Sequence, residues 1–321
     1  MDKRTKIWLI TAALLTLAGC TILAVVMSLN HWDLGHLSTT ELQTAHYEIH
    51  EEFRGITVET DTADIVFVPS GNDLFSVDCY EYDNAKHSVA VIDGTLVIRT
   101  NVTKKWNEYI GIHFDTPRIT LSIPCGAYGE LSLKSDTGLI KIPADFSFDS
   151  IQISESTGSV TCMASALGEI KIQAHTGAIR MENATAGSLD LSVSTGRIEV
   201  TDFTCEEDIR ISVSTGRCVL TNIRCMNFAS SGSTGDLSLT DVLVQEKITI
   251  KRSTGDVRLD RCDSREIFIE TDTGDVSGTL LSEKVFITDT DTGSVRVPGS
   301  VSGGRCEITT STGDIRISIA S

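Results

Sequence analysis

The chain has 321 residues, with 27 Lys and Arg against 44 Asp and Glu, which gives a formal net charge of −17 and a pI near 4.8. This balance argues against a nucleic-acid binder, because affinity for phosphate requires clustered Lys and Arg. An apolar content of 40% is too high for a disordered chain, and nine cysteines are too few for a small protein built on disulfides.

The chain begins with a segment that has the length and composition of a membrane span. Residues 7–29 carry no charge, and a helix of that length crosses a hydrocarbon core of about 30 Å. Basic residues precede this run: Lys3, Arg4 and Lys6. No Lys or Arg follows it until Arg54, and this asymmetry predicts a single-pass anchor of the cell membrane in residues 1–30, with a cytoplasmic N-terminus and an extracellular remainder.

Two other fates of this segment stay open. Residues 17–20, Leu-Ala-Gly-Cys, resemble the lipobox of bacterial lipoproteins, in which Cys20 would be acylated and become the new N-terminus. A cleaved secretory signal would export the chain as well. The apolar run continues past Cys20 to Leu29, however, and becomes longer than the apolar core of a signal peptide, so the uncleaved anchor is favoured.

Residues 31–130 are β-rich but irregular. Residues 88–98 alternate apolar and polar positions around Asp93-Gly94, which predicts a hairpin. A second alternating run, residues 119–123, lies near the end of the region. We expect residues 31–130 to form a cap on the membrane-proximal end of the molecule, because the end of a solenoid needs covering.

From residue 131 to residue 321 the chain is built on one repeat. The dipeptide Thr-Gly recurs ten times, at intervals of 19 or 20 residues. A fixed period near twenty is typical of a solenoid, in which each coil contacts only its neighbours. The glycines of these dipeptides are Gly138, Gly158, Gly177, Gly196, Gly216, Gly235, Gly255, Gly274, Gly293 and Gly313.

Aligning the copies on the glycine shows where each coil places its apolar side chains. The residues seven before and two after the glycine are apolar in all ten copies, and those five before and four after are apolar with few exceptions. A spacing of two is strand periodicity, so the chain turns a corner at Thr-Gly and keeps its apolar face on one core. A weaker apolar column seven after the glycine suggests a third side.

These patterns predict an all-β fold, a parallel β-helix or solenoid of about ten to eleven coils of 19–20 residues, preceded by one N-terminal transmembrane helix. Ten coils lie in residues 131–321. The eleventh lies in the cap region, where residues 56–67 repeat the register with Ala63 in the glycine position. The chain stops soon after its last strand without an obvious cap. Either the exposed edge of this strand is tolerated or it meets a partner, and self-association through the edge is one interpretation.

The anchor, the irregular β segment and the serial turns together resemble a known family. Ser253-Thr254-Gly255-Asp256 is a representative turn, and the resemblance covers about residues 45–321. The family is DUF4097, a β-strand-repeat family of adhesin-like bacterial envelope proteins that includes LiaG-like and YvlB-like members. The resemblance implies a right-handed parallel β-helix, common in Firmicutes, with a link to cell-envelope stress operons. The family has no established catalytic residues, so the resemblance assigns none to this chain.

Acidic side chains recur at the turns and suggest a cation site. In four coils Asp follows the glycine and in three coils Asp stands two before it: Asp236, Asp256, Asp275 and Asp314, and Asp136, Asp272 and Asp291. Stacked at about 4.8 Å these charges repel one another, and Ca²⁺ would relieve the repulsion. The interpretation that we prefer is that Asp forms turns on a solvated edge. We therefore predict no metal site and no cofactor.

The cysteines and histidines show no metal-binding or catalytic motif by spacing. Three cysteines fall in core columns, where a thiol acts as a small hydrophobe: Cys162, Cys218 and Cys306. Cys205 and Cys225 share the position nine after the glycine, so a disulfide between adjacent coils is one interpretation. His175 replaces Ser in one turn, while His87 and His113 lie in the irregular region without a recognisable partner.

The features together predict a membrane-anchored extracytoplasmic protein that acts as a non-catalytic interaction, adhesin-like or scaffold module at the bacterial cell envelope. Its expected partners are the membrane, a cell-wall polymer, an envelope protein or a second copy of the chain, and not nucleic acid. The alternative is a carbohydrate-active β-helix enzyme acting on cell-wall or extracellular polysaccharide. Such an enzyme needs long loops to build a cleft, whereas these coils vary by one residue in length.

Overall fold

The computed structural model describes residues 2–29, 42–71, 74–102 and 116–320, and His113 lies outside these ranges. The described chain contains a helix and a series of strands in this order: α1 (Lys3–Leu29), β1 (Leu42–Ile49), β2 (Gly55–Thr62), β3 (Asp64–Pro69), β4 (Phe75–Tyr82), β5 (Ala85–Ile92), β6 (Thr95–Val102), β7 (Arg118–Ile123), β8 (Gly126–Ile142), β9 (Phe146–Cys162), β10 (Ser165–Ala166), β11 (Glu169–Ala186), β12 (Ser188–Cys205), β13 (Asp208–Thr234), β14 (Leu237–Thr254), β15 (Val257–Cys262), β16 (Glu266–Thr273), β17 (Val276–Leu280), β18 (Lys284–Thr292), β19 (Val295–Arg296), β20 (Gly304–Thr312) and β21 (Ile315–Ile319).

The N-terminal helix α1 has 27 residues and a mean hydropathy of 2.4 in its most apolar part. At about 1.5 Å per residue it is about 40 Å long, which is enough to cross a bilayer. Nearly all of its side chains are exposed, as is usual for a helix that faces lipid rather than a protein core. By length and composition α1 is suited to be a single-pass membrane anchor.

The strands form one sheet that winds into a parallel solenoid, and this confirms the predicted fold class. Adjacent coils pair in register, so that Thr137 lies beside Thr157 and Gly138 lies beside Gly158. The apolar columns on both sides of the corner are buried, as they are at Leu131. The third side is also present, and its first buried column contains Ala184, Phe203, Ile223, Val242 and Cys262.

Glycine occupies the first corner because the coils approach each other closely there. A Cβ on Gly177 would lie 1.6 Å from the carbonyl oxygen of Gly158 in the preceding coil, and similar overlaps recur along the column. The backbone adds a second constraint, since Gly235 has a φ of 127°, which L side chains rarely adopt. Close approach and backbone conformation together explain why all ten copies carry glycine.

A second corner lies six residues after the glycine in five consecutive coils. Its residues have a left-handed backbone with φ between 51° and 54°: Asn183, Asp202, Asn222, Asp241 and Arg261. Asn and Asp tolerate this conformation better than other non-glycine residues. The buried column of the third side begins directly after this corner, so the short polar side chains mark the point where each coil turns again.

Antiparallel strands close the N-terminal end of the solenoid. β2 and β3 form the coil predicted around Ala63, because Thr62 pairs with Thr137 in the first of the Thr-Gly coils. β6 and β7 lie beyond this coil and pair in parallel with β2 and β3. β4 then pairs antiparallel with β1 and β7, and β5 pairs antiparallel with β6 through a hairpin at Asp93-Gly94, as predicted.

The C-terminal end differs from the expectation that the last strand forms the edge. Cys306 of β20 pairs with Ile267 of β16 on one side and with Phe286 of β18 on the other. β21 likewise lies between β17 and β19. The last coil in the sequence is therefore inserted between the two coils that precede it. Within the described residues, β18 and β19 form the end of the stack, and we call this pair of strands the end coil.

Candidate functional site

The strands before each Thr-Gly corner present an outward face that is rich in hydroxyl groups. Residues four and two before the glycine alternate with the buried columns and therefore point away from the core. In four consecutive coils most of them are serines: Ser192, Ser194, Ser212, Ser214, Ser231, Ser233 and Ser253. In-register stacking arranges these hydroxyls in two rows that run across the coils.

Three adjoining grooves of about 430, 330 and 360 Å³ lie on this face. Lys251 lines all three, while Ser212 and Ser231 line two of them, so the grooves form one continuous depression. We call this depression the serine strip. Its principal lining residues are Asp190, Arg210, Ser212, Ser231, Ser233, Thr249, Lys251, Ser253, Phe268, Glu270, Glu307 and Thr309.

Most charged side chains of the serine strip are paired with one another or with immediate neighbours. Lys251 Nζ lies 2.9 Å from Glu270 Oε2, and Arg210 lies 2.8 Å from the carboxylate of Asp208. Exposed pairs of this kind contribute little to stability. These pairs balance the charge of the surface, so neither sign of charge is concentrated on the strip, although the chain as a whole is strongly acidic.

An aromatic side chain lies at one end of the serine strip. Phe268 is half-buried on the outward face, with Lys247 Nζ 4.2 Å and the Arg305 guanidinium 5.3 Å from its ring centroid. Cations at these distances are attracted by the ring quadrupole. Phe268 is therefore held in place between neighbouring coils and adds an apolar surface to a face made mainly of hydroxyls.

A buried arginine, Arg252, lies beneath the strip, in the inward column three before the glycine, where most other coils have small or apolar residues. The side chain of Arg252 fills the space that Gly232 leaves, since a Cβ on Gly232 would lie 1.8 Å from Nη1. Nη2 of Arg252 donates to Ser230 Oγ at 2.9 Å, which explains the polar exception at Ser230. Nε and Nη1 have no partner within the described ranges, and burial lowers the pKa of this guanidinium.

The aspartates that follow the glycines accept hydrogen bonds from backbone N–H groups of the neighbouring coil. Asp236 Oδ1 accepts the N–H of Asp256 at 3.2 Å, and Asp256 Oδ1 accepts that of Asp275 at 2.9 Å. Asp314 accepts the N–H of Ser294 at 2.7 Å, and this bond lowers the pKa of its carboxyl. These carboxylates form a ladder that satisfies backbone donors at the corner. Among those two before the glycine, Asp136 accepts from a serine hydroxyl, and Asp272 and Asp291 are exposed.

The core cysteines lie where the sequence placed them. Burial raises the pKa of Cys162, Cys218 and Cys306 to about 12, so these thiols remain protonated at neutral pH. Cys205 and Cys225 lie on adjacent coils in the same buried column, and both are free thiols rather than a disulfide. The cysteines of the solenoid therefore act as small apolar side chains.

The histidines have different surroundings. His175 lies on an exposed turn, with Nδ1 3.2 Å from Ser194 Oγ. His87, for which the sequence suggested no partner, is buried at the closed end beside two buried residues of β4, Cys79 and Glu81. The signal that was overlooked is Glu81 itself, a carboxylate at an inward position of a strand whose other inward residues are apolar.

Comparisons with known proteins cover most of the chain. The profile of the family described as Toastrack DUF4097 matches residues 53–214 and 204–321. A candidate lipid-binding protein from Parabacteroides distasonis is 14% identical, with a TM-score of 0.49 over 86% of this chain and 97% of its own. A candidate adhesin from the same species is 14% identical, with a TM-score of 0.47 over 87% of this chain and 98% of its own. No curated protein matches the chain.

Proposed function

Since the chain belongs to the Toastrack DUF4097 family, we propose that it is a non-catalytic binding protein of the bacterial cell envelope, anchored by α1 and presenting its solenoid outside the cell. The orientation rests on three cations before the apolar run and on the absence of Lys and Arg after it until Arg54. In this orientation the solenoid lies among the polymers of the envelope.

The serine strip is the surface that we assign to binding, and its continuity is the observation that carries this proposal. Three grooves that share Lys251 extend over several coils, which suits an extended chain better than a compact ligand. Rows of hydroxyls offer both donors and acceptors, and Phe268 offers an apolar surface. A polymer rich in hydroxyl groups, such as a cell-wall polysaccharide, has complementary chemistry.

A matched pair of variants tests this assignment. Ser231→Arg places a long charged side chain in the middle of the strip, while Ser154→Arg places it at the same position of an earlier coil, outside the three grooves. Both serines are exposed, so neither change should unfold the solenoid. We expect the full chain in detergent to co-sediment with isolated cell-wall material, Ser231→Arg to weaken this at least tenfold, and Ser154→Arg to leave it unchanged. Equal binding by both variants would contradict the assignment.

The alternative of a carbohydrate-active enzyme predicts a different result in the same experiment. Within the serine strip Glu270 is paired with Lys251, and Glu307 lies 2.5 Å from Arg305. Carboxyl groups held in ion pairs are poorly placed to act as acid and base on a glycosidic bond. Release of new sugar ends from the sedimented material, lost in Glu270→Gln or Glu307→Gln, would establish the enzyme instead.

We also propose that the end coil mediates self-association. β18 and β19 pair on one side only within the described residues, and their exposed side chains include apolar ones: Val285, Ile287 and Val295. An unpaired strand edge with apolar side chains readily pairs with another chain. The edge strands described at the N-terminal end, β1 and β5, belong to antiparallel pairs and not to a coil, so two copies would associate end coil to end coil.

A further inference from the structure

Three potential metal ligands converge at the closed end of the solenoid. The thiol of Cys79, the carboxylate of Glu81 and the imidazole of His87 each offer one ligand atom, and these atoms lie within 4.8 Å of one another. The three residues are 0%, 2% and 4% exposed. They lie far from the serine strip in the sequence and form no part of the proposed binding surface.

The strand geometry explains why these residues meet. Cys79 and Glu81 are two residues apart on β4, so both point to the same buried face. The chain turns after β4 and β5 brings His87 back toward that face. Two ligands come from one strand and the third from the next, and the backbone that carries them is part of the sheet that closes the solenoid.

The contacts of the imidazole are those of an oriented ligand. His87 Nδ1 lies 2.8 Å from Glu81 Oε2, another of the three potential ligands. His87 Nε2 lies 3.2 Å from Thr60 Oγ1, and the hydroxyl of Thr100 donates to that of Thr60 at 3.1 Å. A hydrogen bond on the second ring nitrogen is the usual way in which a metal-binding histidine is held in its tautomer and orientation.

The charges and the ligand types together select the cation. A thiolate and a carboxylate carry two negative charges, and a neutral imidazole adds none, so a divalent cation would make the buried cluster neutral. Sulfur disfavours Mg²⁺ and Ca²⁺, which prefer oxygen, whereas Zn²⁺ takes Cys, His and Glu together. We propose that Cys79, Glu81 and His87 form a Zn²⁺ site at the closed end of the solenoid.

The position of this site gives it a structural role. Its ligands belong to β4 and β5, and the threonine that orients His87 belongs to β2, a strand of the first coils. A metal ion at this point would tie the antiparallel strands of the closed end to the solenoid. Because a folded site binds the metal and an unfolded chain does not, bound Zn²⁺ would stabilise this end of the molecule.

The test measures metal binding directly and compares two buried cysteines. The full chain in detergent is loaded with Zn²⁺ or Co²⁺, dialysed, and analysed for metal content, absorption spectrum and thermal unfolding. We expect about one ion per chain, a sulfur-to-cobalt charge-transfer band, and a higher melting temperature with Zn²⁺ than with Mg²⁺. In Cys79→Ser the charge-transfer band should disappear. It should remain in Cys162→Ser, because the buried thiol of Cys162 donates to the backbone oxygen of Ala164 and is not one of the three proposed ligands.

A second variant keeps the proposal open to refutation if Cys79→Ser fails to fold. Glu81→Gln keeps the size of the side chain but removes one charge, and we expect it to fold, as judged by circular dichroism, and to bind Zn²⁺ at least tenfold more weakly. Folded wild-type chain that retains no ion after dialysis would overturn the proposal. A charge-transfer band that persists in folded Cys79→Ser would overturn it as well.

Discussion

At the scale of the residue, the most informative side chain is a buried carboxylic acid, Glu155. It lies three before the glycine, in an inward column, and is 2% exposed. Its carboxyl oxygens have no hydrogen-bond partner within the described residues. Burial raises the pKa of Glu155 to about 7, and the nearby Ser135 hydroxyl and Thr157 amide only partly oppose this effect.

The raised pKa makes the stability of the solenoid depend on pH. Between pH 4.5, the ordinary pKa, and about pH 7, Glu155 is protonated more in the folded state than in the unfolded state. The contribution of Glu155 to the free energy of unfolding therefore falls as the pH rises through this window and is constant above it. We expect Glu155→Gln to be about 3 kcal/mol more stable than the wild type at pH 8 and nearly equal to it at pH 4.5. Unfolding followed by circular dichroism at several pH values measures the difference.

The control for this prediction is Glu130→Gln. Glu130 is exposed, so its replacement should change the free energy of unfolding by less than about 0.5 kcal/mol at either pH. If Glu155→Gln shows the same small change at pH 8, the carboxyl of Glu155 is not desolvated as the structure indicates.

At the scale of the element, one lysine connects the end coil to a coil on the far side of the inserted one. Lys284 begins β18, and its side chain is 3% exposed on the third side of the solenoid. Nζ lies 2.6 Å from Asp263 Oδ1 and 2.5 Å from Ser282 Oγ. The side chain passes beside Gly304 of the inserted strand β20, and a Cβ there would lie 3.6 Å from the Lys284 Cδ. Glycine is required at position 304 by the carbonyl oxygen of Arg265, which a Cβ would approach to 1.9 Å, and Lys284 extends past this strand to a coil beyond the inserted one.

We expect Lys284→Met to lower the free energy of unfolding by about 2 kcal/mol, because it leaves the partly buried carboxylate of Asp263 without its cation. Lys251→Met is the matched control. Lys251 makes a pair of similar length with Glu270, but both partners are more than half exposed, so its loss should cost less than about 1 kcal/mol. Urea titration of both variants provides the comparison, and equal losses would show that Lys284 does not hold the end coil.

Element by element, the sequence predicted the parts that follow from local patterns and missed those that depend on a neighbouring coil. The Thr-Gly corner, the buried columns and the hairpin at Asp93-Gly94 follow from local periodicity and turn chemistry, and the structure confirms them. Asn183 and Asp202 did indicate the second corner, but only through their tolerance of a left-handed backbone and not through a hydrophobic pattern. The buried position of Arg252 could not be predicted, because it depends on the space that Gly232 leaves in the neighbouring coil.

At the scale of the whole molecule, the two ends differ. Antiparallel strands cover the N-terminal end, whereas the end coil exposes Ile287 at 48% and Val295 at 41%. Head-to-tail stacking of solenoids needs two open ends, so the asymmetry favours a two-fold contact between end coils. On anchored molecules such a contact would join copies that face each other, which agrees with an adhesin-like role.

The expected measurement is the mass of the full chain in bilayer discs that hold one copy each, over a range of concentrations. We expect the wild-type discs to pair. The variant Ile287→Lys should weaken this pairing at least tenfold, because a charge on the edge strand opposes strand pairing. Ile92→Lys is the control, since Ile92 is 51% exposed but lies on β5 at the closed end. A monomeric disc at every concentration would exclude self-association.

The sequence by itself determined the coil, its corners and its buried columns, because in a solenoid each coil contacts only its neighbours and local periodicity repeats the same contacts. It also predicted the helix α1, whose length and hydropathy suit a membrane span. Only the tertiary structure decided that β20 and β21 lie inside the stack and that Cys79, Glu81 and His87 meet. The coils share one register, so the repeat does not encode which of them become neighbours. The three potential ligands lie on strands outside the repeat, and no local pattern brings them together.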